Sequence, residues 1–262
     1  MFGFPKTNRD ETSFKKNFLK SAVFQIKFPT TNEIINKQKE IIEILEDTYP
    51  RFIESGNTGY EIKFTNNQTP IVQQLKKNNI GFELKSQNGQ KSISLSIDTI
   101  SLTISGNVYT NFYEISDDLK NIEKILSLCN IKTITRVAIR KINVVDFQIP
   151  INDKFIPINL LEFILNPQLL SNMSYFPNTE YIKQNINTVE YEKGNNRLNL
   201  RYGVLVPNIK NTGHVLIDID LFSLNNTDAN KVTKLFNLIN DEIFNIFNWA
   251  ICDEAKKHLT QD

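Results

Sequence analysis

The chain has 262 residues, enough for one large domain or two small ones with ample apolar residue for a core. Its 30 Lys and Arg against 29 Asp and Glu leave no overall field. Bulk attraction to nucleic acid or an anionic membrane is therefore not implied, although a local patch can still form. The 9 glycines leave little material for phosphate-binding loops. No apolar run approaches the roughly 20 residues of a membrane span.

Heavy use of Ile, Asn, Lys and Phe reads as the trace of an AT-rich bacterial genome. Cys129 and Cys252 form neither a CxxC pair nor a metal-ligand spacing. The charged N-terminus lacks the apolar core of a signal peptide. Together these features imply a soluble, cytoplasmic protein with reduced thiols.

In chain order, residues 1–20 read as a loose N-terminal arm that docks only in part. Alternation of Ala22, Phe24, Ile26 and Phe28 predicts a half-buried strand, stopped by Pro29. Thr30-Thr31-Asn32-Glu33 supplies capping chemistry for a helix with the stripe Ile34, Ile35, Ile41, Ile42 and Leu45. Strand-like runs follow at Tyr60–Phe64, Ile80–Leu84, Ile93–Ile97 and Ile100–Ile104. Gln87-Asn88-Gly89-Gln90 is a hairpin turn, because Asn-Gly tolerates positive φ. A helix is expected over Ser116–Cys129.

A long strand opens at Thr133, and residues 149–180 are irregular, with four prolines around a short helix near Leu160–Leu165. Strands resume at Ile182–Glu192, Arg197–Val206 and Val215–Phe222, the first two joined by a turn at Lys193–Asn196. One amphipathic helix of about 30 residues, running roughly 45 Å, is expected from a cap near Thr227-Asp228 to Leu259.

This order reads as an α+β fold with helices on one face of an antiparallel sheet. It also reads as two pseudo-symmetric β-α-β-β-β-α units. Residues 21–130 form the first, and 131–262 the second, with the 149–180 insertion inside it. The topology resembles that of TATA-binding-protein-like or helix-grip proteins, which carries no function with it.

Arg136 and Arg140 share one face of a strand, with Ala138 between them, about 13 Å apart. They either track a longer anionic chain or pair with carboxylates of a neighbouring strand. Arg197 and Arg201 repeat the spacing, and Asp218 and Asp220 follow on the next strand. If the loop at Pro207–Gly213 closes a hairpin, cross-strand Arg–Asp pairs form. The alternative makes Asp218 and Asp220 a weak candidate metal pair, with no nearby His or Glu cluster to complete it.

His214 reads as a turn residue, and His258 as a helix-end residue that favours the dipole. Tyr191 and Tyr202 beside Arg197 and Arg201 fit base stacking or core packing. Tyr175, Phe176, Tyr181 and Trp249 are further aromatics of the same kind. No GxSxG, HExxH, P-loop or GxGxxG motif is present, so no catalytic residue and no cofactor is implied.

Three segments resemble those of a sporadically distributed family of uncharacterised bacterial and archaeal proteins of about this length. They are the opening strand Leu19-Lys-Ser-Ala-Val-Phe-Gln-Ile-Lys-Phe28, the strand Arg136-Val-Ala-Ile-Arg140-Lys-Ile-Asn143 and the closing helix segment Ile243-Phe-Asn-Ile-Phe247-Asn-Trp-Ala-Ile-Cys-Asp253-Glu. The chain departs from the family pattern at Lys141, where an aromatic is usual, and at Cys252, where a threonine is expected. The resemblance brings no catalytic residues. Its patchy distribution is like that of genes in defence islands or toxin–antitoxin loci, and implies a protein partner encoded nearby.

The expected function is a non-enzymatic binding module for that protein partner, with Arg136, Arg140 and Asn143 on the binding face and Arg197 and Arg201 beside them. Nucleic-acid or nucleotide binding across the same sheet and a metal-dependent hydrolase are the alternatives. A homo-oligomer is also compatible with the sequence.

Overall fold

The computed structural model describes residues 1–8, 14–54, 58–63, 71–76, 81–148, 157–170, 178, 182–206 and 212–261. Several expectations lie outside them: the Pro207–Asn211 loop, Phe64, most of the 149–180 insertion, and Tyr175, Phe176 and Tyr181. In the first half the elements are β1 (Leu19–Lys27), α1 (Glu33–Asn36), α2 (Gln38–Leu45), β2 (Arg51–Glu54), β3 (Thr58–Lys63), β4 (Ile71–Lys76), β5 (Gly81–Lys85), β6 (Lys91–Ser96), β7 (Thr99–Ser105) and α3 (Ser116–Leu128). In the second they are β8 (Thr133–Ile134), β9 (Arg136–Gln148), α4 (Pro157–Ile164), β10 (Gln184–Lys193), β11 (Asn196–Leu205), β12 (Thr212–Ser223), β13 (Thr227–Asp228), α5 (Val232–Ala250) and α6 (Asp253–Thr260).

The main sheet has nine strands in the order β10-β11-β12-β9-β1-β7-β6-β5-β2. Every neighbouring pair is antiparallel. Register and side-chain parity agree across its full width. One row runs Phe52, Leu84, Ile93, Leu102, Phe24, Ile139, Leu221, Leu198, Tyr191. All but the two edge residues, Phe52 and Tyr191, are buried, and this is the face the helices cover. The next row along the strands faces the other way and is largely polar: Glu83, Ser94, Ser101, Gln25, Ala138, Phe222, Arg197, Glu192.

The helices join the core of the first face through Ile34, Ile41 and Leu45 from α1–α2, Leu119, Ile122 and Ile125 from α3, and Phe236, Ile239 and Ile243 from α5. At its centre the Phe24 ring meets Tyr109, Phe112 and Phe236 at centroid distances of 6.3, 6.0 and 5.7 Å. The protein is thus an α+β fold built on one large antiparallel sheet. Among the described residues no helix is long and apolar enough to cross a membrane.

Turn chemistry is where the sequence places it. Gly89 and Gly194 take φ of +71° and +58° in the β5–β6 and β10–β11 turns, which a Cβ would penalise. Just before α1, Thr31 Oγ1 accepts from the Glu33 N–H at 3.2 Å, while the N-cap residue Asn32 makes no side-chain capping bond.

Three expectations are corrected. The run Tyr60–Phe64 does not join the main sheet: Thr58–Lys63 pairs with β4 in a separate two-stranded sheet. The first helix divides at Lys37, whose Nζ donates to the Leu128 carbonyl at the end of α3. The closing helix is not continuous either. α5 has 19 residues, about 28 Å, and the chain turns extended at Ile251 and Cys252 before α6.

The cause of that break is tertiary. Ile251 bridges to Leu165, the Asn166 N–H donates to the Ala250 carbonyl at 2.8 Å, and the Asn166 side chain donates to the Trp249 carbonyl at 2.8 Å. These are carbonyls that a continuous helix would give to residues four positions on. The N-terminal arm, over residues 1–8, lies along α5. The Phe2 N–H donates to Glu242 at 2.7 Å, the Thr7 N–H to Asn245 at 2.9 Å, and the Phe4 ring packs on Trp249 at 5.0 Å.

Asn166 also caps the turn that follows it by accepting from the Gln168 N–H at 3.0 Å. Asn166→Ala is therefore expected to lower the unfolding free energy by about 2 kcal/mol, read from the urea midpoint. An unchanged midpoint would place the cause of the helix break elsewhere.

Candidate functional site

Strands β9, β11 and β12 bring four of the five candidate binding residues onto the sheet face opposite the helices. Arg136 and Arg140 stand on β9, Arg197 and Arg201 on β11, and Asp218 and Asp220 on β12 between them. In the ladder Arg140 stands opposite Asp220, and Arg201 opposite Asp218. The guanidinium of Arg140 nevertheless leans along the strand to the diagonal carboxylate. Its Nε and Nη2 donate to the two oxygens of Asp218 at 2.9 and 2.8 Å, a bidentate pair. Arg201 adds a second cation at 3.7 Å, and the Asp218 side chain is only 2% exposed.

Asp220 is less well served, with Arg136 as its ion-pair partner at 3.9 Å. Burial pushes its carboxyl above the ordinary aspartate value, and Arg136 and Arg140 offset this only in part. Burial also opposes the charge of Arg140, but the hydrogen bond and charge of Asp218 outweigh it and raise the guanidinium pKa. Arg136 stays below its ordinary value, because burial exceeds what Asp220 returns. Arg136 finds further support in a hydrogen bond to Gln25 Oε1 and in the Phe222 ring, 4.3 Å below its guanidinium carbon. Arg197 pairs with Glu192 at 2.7 Å and donates to the Gly194 carbonyl at 2.6 Å.

The structure separates residues that the sequence reading grouped. Asn143 has the opposite parity on β9 and does not share the arginine face. Its Nδ2 donates to the Ile217 carbonyl at 3.1 Å, and its side chain lines a cavity of about 600 Å³ with Tyr109, Lys141 and Asn240. Tyr191 and Tyr202 pack with the helix-side core, away from Arg197 and Arg201, so the stacking platform does not form there. The aromatic beside the arginines is Phe222, whose parity with Asp218 and Asp220 on β12 was the available signal.

His214 is not a turn residue. It sits within β12, 5% exposed, with Nδ1 2.7 Å from Asp146 Oδ1, while Lys20 holds Asp146 Oδ2 at 2.8 Å. The hydrogen bond to His214, with Lys20 assisting, holds the Asp146 carboxyl below its ordinary value. His258 lies in the last turn of α6, as expected, stacked on Phe18 at 6.1 Å.

Chemically, the arginine face is an array of fixed cations matched by fixed anions. Among the described residues no group of three or more His, Cys, Asp or Glu is placed to hold a metal. A cation at Asp218 and Asp220 would have to displace three guanidinium groups, those of Arg136, Arg140 and Arg201. Both cysteines are buried free thiols, and burial pushes Cys129 up to about 11.

Asp218→Asn leaves Arg140 and Arg201 facing each other across a neutral amide. Its expected cost is about 3–5 kcal/mol in denaturant unfolding at neutral pH. Asp220→Asn should leave stability there unchanged or higher. The linkage signs differ as well. The folded protein takes up a proton at Asp220 before the unfolded chain does, so this residue adds stability as pH falls from neutral toward about 4. Asp146 contributes above that range and loses its contribution as pH falls below it. Melting curves from pH 3 to 7 should therefore show the mid-range gain vanish in Asp220→Asn and the acid limb flatten in Asp146→Asn. Identical profiles for both variants and the parent would contradict the assignment.

Comparison with known proteins gives no match, neither to a family model nor to a curated protein.

Proposed function

We propose that the chain is a non-enzymatic binding module that recognises a protein partner through the arginine face of β9, β11 and β12. The observation that supports this reading is the internal pairing of that face. Arg136, Arg140, Arg197 and Arg201 are each held by a carboxylate, and Arg136 also by an aromatic ring. Side chains ordered before binding lose little entropy on contact. Arginines and aromatics in partly buried settings are the groups that dominate protein interfaces.

The same pairing weighs against the nucleic-acid reading, which needs cations that release counterions from phosphates. We also read the two halves as a duplicated unit. In each, the first strand pairs with the last and two more follow outward, β1-β7-β6-β5 and β9-β12-β11-β10, with β2 added beyond β5 in the first half. The family resemblance adds the expectation that the partner is encoded nearby, in a defence or toxin–antitoxin setting.

The test is to tag the protein at its own locus, purify it gently and identify what accompanies it. Arg140 is left in place, because its loss would strand Asp218. Arg136→Ala with Arg197→Ala should weaken a stoichiometric protein partner at least tenfold, about 1.4 kcal/mol, without changing the melting curve beyond the loss of the largely buried Arg136–Asp220 pair and the more exposed Arg197–Glu192 pair. A partner held equally by the double variant would remove the face from consideration. Purification of the chain alone, or with nucleic acid lost steeply as salt rises, would overturn the reading.

A further inference from the structure

Strand β10 ends the main sheet, with no described strand beyond it. Which of its backbone groups face outward follows from the ladder. The Val206 N–H donates to the Lys183 carbonyl at 2.7 Å, in the register that pairs Gln184 with Leu205. Hydrogen-bonded pairs recur at every second residue of an antiparallel ladder. Asn185, Asn187, Val189, Tyr191 and Lys193 therefore bond to β11, and the N–H and C=O groups of Gln184, Ile186, Thr188, Glu190 and Glu192 point away from the sheet. The two-residue turn after Lys193 agrees, since such a turn closes on a bonded pair, here Lys193 with Asn196.

Exposed edges are commonly blunted by shortness, proline, a bulge or charge. β10 is 10 residues long, its register with β11 is unbroken, it contains no proline, and Gln184–Val189 carry no charge. Charge appears at one end, where Glu190 and Glu192 are both exposed. Glu192 is paired with Arg197. On the other side of the strand Val189 and Tyr191 are half-buried, with the rings of Phe2 and Phe4 against Tyr191 at 6.0 and 5.7 Å.

We infer that the β10 edge takes an extended segment of the partner protein as a tenth strand, with a Lys or Arg opposite Glu190 and apolar side chains beside Val189 and Tyr191. This rests on the binding-module reading and gives that module its mode of contact, main-chain pairing at a sheet edge. The added strand would lie about 4.8 Å beyond β10, continuous with the row Glu192, Arg197, Phe222 of the arginine face. A second copy of the chain fits less well. Antiparallel pairing joins outward-bonding residues to one another, all of them even-numbered here, whereas the lysines flanking the strand core are 183 and 193. No antiparallel self-pairing of this edge sets a base opposite Glu190.

Two variants of the full chain test this. Thr188→Pro removes one outward N–H and leaves the β11 ladder intact. Glu190→Lys reverses the charge and leaves the backbone untouched, which keeps the test decisive if the proline variant folds poorly. A phage-displayed library of short random peptides is panned on the parent chain. Enriched peptides should alternate in polarity, carry a basic residue in the polar set, and bind Thr188→Pro and Glu190→Lys at least tenfold more weakly, while binding Arg136→Ala little changed. No enrichment, or enriched peptides indifferent to both variants, overturns the inference. So does a dimer of the free chain that Thr188→Pro dissolves, since the edge would then belong to a second copy. The protein captured at the locus separates the two claims. Capture that survives both edge variants but is lost with Arg136 and Arg197 sinks the edge alone, and no capture at all sinks the module.

Discussion

The pairing of β1 with β9 is the contact on which the rest of the structure depends. These strands are more than a hundred residues apart in the chain, and theirs is the strand pairing that joins the β2–β7 side of the described main sheet to the β9–β12 side. Their register sets Phe24 against Ile139 and Gln25 against Ala138. From that choice an apolar row extends to both edges on one face and a polar row on the other. A slip of one residue would turn Phe24 and Ile26 toward the arginines, and Gln25 toward Phe236 and the helices. Burial of the whole Phe24 cluster stands against such a slip, at roughly 3–5 kcal/mol for one large aromatic side chain alone.

The same alternation that builds the core gathers the charges. On the face of β9, β11 and β12 turned away from the described helices the chain sets arginine against aspartate, beside a small buried apolar cluster of Ile142, Val144 and Leu216. The two aspartates are not equivalent. Asp218 takes the bidentate grip of Arg140 and the more distant Arg201, whereas Asp220 has one cation at 3.9 Å. A charge as buried as Asp218 is tolerated because its lone pairs are occupied, and it then resists any local rearrangement of β9 against β12. Asp218 is therefore the more firmly paired of the two.

Helices and arm complete the other side of the sheet by borrowing hydrogen bonds from one another. Lys37 gives its ammonium to the end of α3, Asn166 takes the last carbonyls of α5, and the N-terminal residues settle on Glu242, Asn245 and Trp249. In the first two cases a helix end or break is satisfied by a residue remote in sequence, and in the third the arm is held by side chains from the middle of α5. This ties the periphery to the sheet without enlarging its core.

The sequence by itself determined the strands with clear period-two alternation, the Asn88-Gly89 and Gly194-Asn195 turns, the helix over 116–128 and the neighbourhood of Arg136, Arg140, Asp218 and Asp220. These rest on local rules: side-chain alternation, the φ tolerance of glycine, and spacing along one strand. Parity alone also separates Asn143 from Arg136, and Tyr191 and Tyr202 from Arg197 and Arg201. Only the tertiary structure decided that α5 stops at Ala250, because the cause is Asn166, more than eighty residues away. It likewise decided which carboxylate each arginine takes, since the diagonal reach of Arg140 depends on how β9 lies beside β12. His214 was misplaced for the same reason: its partner Asp146 is on another strand, and no pattern around a lone histidine reports what stands across the ladder.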